Sequence, residues 1–415
     1  VERWYAQSGR RMLEKAAYSD GGWVVETDFV PGEFRVYVIP QEDSPDSEHS
    51  VYSREESMEP GDVGLSRMEP IERGDAGLLR EEPEKRGDAG LPQVCGKGKR
   101  IPVPEQRDWA YSLDEPNLFV LDMVTVTLPD GRQLERQEVL KADRSLREAY
   151  GYPPRGGDML QPWYAIKYRE GAQEPLCRVE LRYEFEIQCL PEGDILLVTE
   201  DLENISRISV NGTEIERASL GTWVDICFQK LSVGRRLLKI GRNEIVMEMD
   251  YIPINGLEAI YLLGEFGVWV SREGVPVMAK LPERLALGDI TKQGLLFYSG
   301  KIVYRMEVPE TVKGKQVILK ASQFGGSCIR VKGGGREVLL PWQPYEGDIT
   351  ELAEAAETLE LEVILTRRNT FGPLHQLPAL VDGYGPGNFL SQGDRWSDGY
   401  VTLPQGLLGE PEFYE

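Results

Sequence analysis

From residue 179 to 187 the chain alternates without a break, Val-Glu-Leu-Arg-Tyr-Glu-Phe-Glu-Ile. A two-residue period of this kind places Val179, Leu181, Tyr183, Phe185 and Ile187 on one buried face of a strand. Short apolar runs follow at 195–198, 205–210, 223–228 and 244–249, with Asn211-Gly212 between two of them as a strong hairpin signal. Upstream, 117–122 and 124–128 read as strands before the turn at Pro129-Asp130-Gly131, and 134–150 reads as a helix broken at Pro153-Pro154. Downstream, 294–305, 340–350 and 366–375 each read as a short strand followed by turn residues. The pattern is that of an all-β protein built from sandwiches.

The pattern fails in one place. Between 41 and 100 it collapses into Glu, Asp, Pro, Ser and Gly, and Gly61-Asp-Val-Gly-Leu65 recurs as Gly74-Asp-Ala-Gly-Leu78 and Gly87-Asp-Ala-Gly-Leu91. Such a segment buries too little apolar surface to offset its ordering entropy, so a disordered acidic insertion is expected there. No strand leads into these glycines and no helix follows them, so they do not form a phosphate-binding loop. Ahead of the insertion, 22–30 and 34–39 read as strands. The chain begins inside this patterned region without an initiating Met, so 1–40 is expected to be the end of a preceding β-sandwich domain whose upstream part is missing. Residues 101–288 are then a first sandwich with linking segments and 289–415 a second. A loose echo joins the two: Ile208-Ser-Val-Asn-Gly212 resembles Ile329-Arg-Val-Lys-Gly333, and 238–245 can be set beside 358–363.

Composition narrows the function. A formal charge of −22, from 69 acidic and 47 basic residues, repels a phosphate backbone and disfavours nucleic-acid binding. No apolar run approaches the roughly 20 residues that span a bilayer, and the first ten residues lack the plan of a signal peptide, so no membrane partner and a cytoplasmic location are expected. Cys95, Cys177, Cys189, Cys227 and Cys328 are odd in number and contain no Cys-x-x-Cys pair, which argues for free thiols over zinc or a disulfide scaffold.

The combination Tyr298-x-Gly300, Trp342-x-Pro344-Tyr345-x-x-Asp348 and Arg368-Asn369-x-Phe371-Gly372-Pro373-x-His375 resembles the galactose-binding-like jelly-roll domains of bacterial glycoside hydrolases. It looks closest to the C-terminal region of large family 2-like and α-L-rhamnosidase-like (family 106-related) enzymes, and the likeness runs from about Ile101 to the C-terminus. The resemblance implies two galactose-binding-like jelly rolls in tandem. In such enzymes the catalytic carboxylates sit on a (β/α)₈ barrel, and nothing here alternates strand and helix for the necessary length. The expectation is therefore a non-catalytic accessory region that stabilises the catalytic barrel of its parent chain and touches oligosaccharide or polysaccharide. A self-sufficient carbohydrate-binding module is the alternative, and a sandwich enzyme such as a lyase a third.

A sugar site needs a flat aromatic face and a few polar groups. Trp342 and Tyr345 could supply the first, and Arg368, Asn369 and His375 the second. Against this, Trp342 could be core, Asp348 a cap, and Arg368 with His375 a tie between the final strands. Asp394 and Asp398, flanking Trp396, are a further carboxylate pair, expected to be solvated. His49 and His375 are the only histidines, so a catalytic triad would have to use His375. No cofactor is expected; a structural calcium would use carboxylate and carbonyl oxygens, and no spacing singles out a site.

Overall fold

The computed structural model describes residues 98–154, 173–379, 389 and 393–415, with five short strands upstream. The chain divides into two compact units, 1–97 and 98–415. In the first, Glu2–Trp4 pairs antiparallel with both Arg11–Leu13 and Val36–Val38, and Ala16–Ser19 pairs with Gly22–Val25. The repeat at 61–91 lies outside the described residues, so the expected disorder of that insertion does too.

The 98–415 unit is all-β and holds two hydrophobic cores, each between two sheets. In the sandwich built from the middle of the chain, one sheet runs in the spatial order Gln133–Glu138, Met123–Thr127, Cys177–Ile187, Gly241–Tyr251, Ile205–Val210, Thr213–Glu214. It faces Thr222–Trp223, Asp225–Val233, Ile195–Thr199, Ile260–Gly264, Asn117–Leu121. The inward face of Cys177–Ile187 is the alternating set read from the sequence: Val179, Leu181, Tyr183, Phe185 and Ile187 are all buried. Asn211 and Gly212 turn the expected hairpin with φ of 50° and 81°, the left-handed pair that suits the twist of the flanking strands.

The other sandwich repeats this plan. One sheet is ordered Leu285–Ala286, Asp108–Leu113, Lys301–Glu307, Thr358–Ile364, Cys328–Gly333, Arg336–Leu340. The other is Glu346–Asp348, Ile318–Lys320, Glu412–Tyr414, Arg100–Ile101. Laid side by side, Asp108–Leu113 takes the place of Met123–Thr127, Lys301–Glu307 that of Cys177–Ile187, and Thr358–Ile364 that of Gly241–Tyr251. The two echoing sequence segments occupy equivalent strands, Ile205–Val210 and Cys328–Gly333, each antiparallel to the next long strand of its sheet.

The second sandwich is not one continuous stretch. The chain lays down Arg100–Ile101 and Asp108–Leu113, completes the whole inner sandwich, and only then returns to pair Lys301–Glu307 with Asp108–Leu113, Ile302 opposite Leu113. The boundary expected between 288 and 289 therefore does not separate the sheets: residues 100–113 belong with the C-terminal sandwich. Alternation assigns a strand's faces but not its partner, and this partner lies far along the chain.

Two elements differ from the sequence reading. The expected helix over 134–150 is the strand Gln133–Glu138 followed by a helix, Val139–Ala149, whose start is capped by Glu138 accepting from the Lys141 amide at 3.0 Å. The expected strand over 366–375 is the short helix Arg368–Phe371, because the ladder of Thr358–Ile364 ends before it.

The Val139–Ala149 helix is fixed to the inner sandwich by a buried ion pair, Arg147 Nε to Asp143 Oδ2 at 2.7 Å, both side chains 1% exposed. Asp143 Oδ1 also accepts from the Tyr251 hydroxyl and the Leu257 amide, and Arg147 Nη2 donates to the Pro253 carbonyl. Removing one partner of such a pair strands the other in an apolar setting. Asp143→Ala should lower stability by about 3–5 kcal/mol in urea denaturation, well beyond the effect of Asp130→Ala at an exposed ion pair.

Candidate functional site at the junction of the sandwiches

The chain leaves the outer sandwich at Asp114-Glu115 and comes back to the inner one after Ile364, and most of the expected polar site residues fall at this crossing. At the exit, Asp114 Oδ1 accepts from the Lys301 amide at 2.5 Å and the Tyr298 hydroxyl at 2.9 Å. Glu115 bridges the two sandwiches, pairing with Arg367 Nη1 at 2.5 Å and accepting from Trp223 Nε1 at 3.3 Å. The next helix, Arg368–Phe371, then drives Phe371 among Trp223, Phe228 and Tyr261 of the inner sandwich, with ring centroids 5.3–5.6 Å away.

Arg368 and Asn369 are buried and turned onto backbone. Arg368 donates to the carbonyls of Pro373 and Ala379 at 3.0 Å each, which shapes the turn after the helix. The Asn369 amide forms a two-way bridge to Leu403, donating to its carbonyl and accepting from its N–H, both at 2.8 Å. Thr370 donates to the Phe297 carbonyl at 2.8 Å.

His375 is also buried in the crossing, 4% exposed. Its Nε2 is 3.2 Å from Asp122 Oδ2, and its Nδ1 is 2.9 Å from the Ser397 carbonyl. The ring stacks on Trp396, centroids 4.9 Å apart and planes within 19°, and touches Tyr400 at 4.7 Å. Tyr400 donates its hydroxyl to the other Asp122 oxygen at 2.6 Å. Asp122 follows directly on the buried strand Asn117–Leu121, and its carbonyl accepts the Val139 amide that begins the helix capped by Glu138. Two carboxylates, an imidazole and a phenol thus share one enclosed space.

Burial pushes the Glu138 carboxyl up to about 7, with the Asp122 charge adding to it and the Leu140 and Lys141 amides and His375 opposing it. For His375 burial works downward, but the hydrogen bond and charge of Asp122, the Ser397 carbonyl and Glu138 outweigh it, so its pKa stands above the ordinary imidazole value. Burial and Asp122 hold the Tyr400 phenol well above its usual range.

This arrangement orients protons, and among the described residues it brings no serine or cysteine side chain to the His375 ring as a nucleophile. Ser397 presents its carbonyl to His375, and its hydroxyl donates to Gly399 at 2.9 Å. Cys328 sits on a strand of the outer sandwich with its thiol pKa raised, first by burial. Among the described residues no group of three or more His, Cys, Asp and Glu side chains is arranged to hold a metal ion.

The expected aromatic pair is elsewhere. Trp342 and Tyr345 bracket a tight turn through the cis Gln343-Pro344 bond, closed by the Tyr345 amide on the Trp342 carbonyl at 2.7 Å. Tyr345 packs edge-on against Phe324 at 4.8 Å and borders the outer core, whereas His375 reaches into the inner sandwich. The Asp394–Asp398 loop contributes through Trp396, whose indole N–H donates to Asp398 at 2.9 Å. Sequence reasoning missed Asp122, Glu138 and Tyr400. One signal was present: Asp122 is a charge set directly against a run of apolar strand residues. A cavity of about 870 Å³ opens in the inner sandwich, with Tyr183, Glu200, Asp201, Arg217, Asn255 and Glu258 among its walls, and none of the five expected residues lines it.

No family model matches the chain, and no curated protein does. Solved structures do. A β-D-mannosidase from Dictyoglomus thermophilum matches at 13% identity and a TM-score of 0.25, over 63% of this chain and 32% of that one. An α-L-rhamnosidase from Streptomyces avermitilis matches at 12% identity and 0.25, over 74% and 27%. A rhamnosidase from Novosphingobium sp. PP1Y matches at 14% and 0.23, over 65% and 26%. The chain thus spans a third or less of the length of these three enzymes.

The Asn369 bridge replaces two backbone partners with one side chain, so its loss leaves a buried donor and acceptor behind. Asn369→Ala should cost about 2–4 kcal/mol in chemical denaturation and should raise hydrogen exchange at the Leu403 amide first.

Proposed function

We propose that this chain is a non-catalytic accessory β-sandwich region of a glycoside hydrolase, whose role is to hold two nested sandwiches as one body beside the catalytic barrel of its parent chain. One observation carries the reading: the side chains best suited to chemistry at this site are consumed internally. Arg368 and Asn369 are spent on backbone carbonyls and amides, and His375 on Asp122 and Ser397. A catalytic acid or base must reach a proton of its substrate. These groups are enclosed by Trp396 and Tyr400. The sequence resemblance over 294–375 supplies the parent class, family 2-like or α-L-rhamnosidase-like.

A panel of aryl-glycosides offered to the purified chain should give no release above the buffer blank. Turnover that disappears in Asp122→Asn would overturn the accessory role.

Glycan contact is the second reading, and its carrier is the Trp342 turn, where a half-exposed indole stands beside exposed Gln343 and Pro344. On a glycan array, Trp342→Ala should abolish binding while His375→Ala, at a buried position, should leave the pattern of bound sugars unchanged. Equal loss in both, with both variants folded, would count against Trp342 as the contact.

A further inference from the structure

The junction confines Asp122, Glu138 and His375, at 5%, 7% and 4% exposure, where water cannot screen them. Two are acids and one is a base, so the net charge of the enclosure depends on proton count. With Glu138 protonated and His375 charged beside the Asp122 carboxylate, the set sums to zero. With Glu138 ionised and His375 neutral, it sums to two buried negative charges. The groups facing them from neighbouring elements do not restore the balance. Tyr400, Tyr183 and Tyr261 stay neutral because burial raises each phenol, and Arg136, on the strand before the helix, is exposed.

What the enclosure holds is local and well defined. Residues 374–377 and 395–401 are tied to each other by the Leu377 amide on the Arg395 carbonyl at 2.8 Å, Ser397 on His375 at 2.8 Å and Val401 on Leu374 at 2.6 Å. The His375 and Tyr400 contacts to Asp122 fasten this pair of strips to the inner sandwich.

We propose that the junction is a proton-operated latch: the two strips sit closed on the inner sandwich while the Asp122, Glu138 and His375 set carries no net charge, and they open as protons leave it. This rests on the scaffold role given above and adds its regulation. Both titrations act in one direction. Glu138 is an acid whose folded pKa, about 7, exceeds its unfolded value of 4.5, so the folded junction retains a proton that the open one releases, and the advantage is lost as pH rises through 7. His375 is a base whose folded pKa is raised, so its contribution is complete below the unfolded value and is likewise lost as pH rises through the folded one. Closure is strongest in mild acid and weakens above neutrality.

Hydrogen exchange on the full chain tests this, with each amide's rate divided by its intrinsic rate at that pH. Protection at Leu377, Ser397 and Val401 should fall by about tenfold or more between pH 5.5 and pH 8.5, while amides in the Cys177–Ile187 and Gly241–Tyr251 ladder hold steady. Glu138→Gln keeps a side-chain oxygen for the Lys141 amide and carries no charge at any pH, so it should lose most of this dependence and stay protected at pH 8.5. His375→Gln should remove the remainder. Equal protection at both pH values in the native chain overturns the latch, as does a Glu138→Gln profile that still follows the native one. Neither result bears on glycoside turnover, so the latch and the accessory role fail separately.

Discussion

The 98–415 unit depends on one burial, that of the Asp122 carboxylate between the His375 imidazole and the Tyr400 hydroxyl. A lone carboxylate at this depth is costly; one oxygen accepts from the Tyr400 hydroxyl and the other lies 3.2 Å from His375 Nε2, both from a part of the chain more than two hundred residues away in sequence. The contact is therefore both a requirement of the inner sandwich and a tether for the C-terminal segment. Phe371 supplies the apolar half of the same attachment by filling a space among three inner-sandwich rings. Polar matching gives the junction its register, and aromatic burial gives it most of its adhesion.

Nesting explains why the attachment is needed. Asp108–Leu113 has no partner on its interior side until Lys301–Glu307 arrives, so the outer sandwich cannot close before the inner one is made. Long-range strand pairing of this kind carries a loop-closure cost that is recovered only at the end of assembly. An inner sandwich that folds from nearer contacts shortens the effective loop to the distance between its own two ends. The Glu115 bridge to Arg367 and Trp223 fastens the entry to the inner sandwich to the segment that returns to it after Ile364.

Much of this was legible in the sequence, and the limit was physical. Strict alternation at 179–187 and the Asn211-Gly212 turn fixed local geometry because each depends on neighbours in the chain. The likeness between 208–212 and 329–333 pointed to a shared plan, and the equivalent strands bear it out. Which sandwich 108–113 would join was not legible, since pairing is a property of two distant segments. The same holds for the site. Arg368, Asn369 and His375 were read as a cluster at a strand end, with a structural tie as the other possibility, and the structure places them at a short helix that performs the tie. Trp342 and Tyr345 were grouped with them by motif and are separated from them by the fold. Asp122 and Glu138 gave little warning, because a carboxylate's burial is decided by what folds over it.

The last pair of residues in the inner ladder has a wider meaning. Gly264 lies directly opposite Asn117 in an antiparallel register, and the Asn117 side-chain amide donates to the Phe266 carbonyl. Phe266 is next to Gly267, which pairs with Ala279 at the end of the inner sandwich's last strand, Pro276–Ala279, so the chain's entry into this sandwich and its exit are neighbours in space. A body whose two ends meet can be lost, exchanged or acquired by a host without rethreading the host's strands. Together with the strand-for-strand match between the two, this geometry is that of one sandwich set whole into a connection of another with the same strand order.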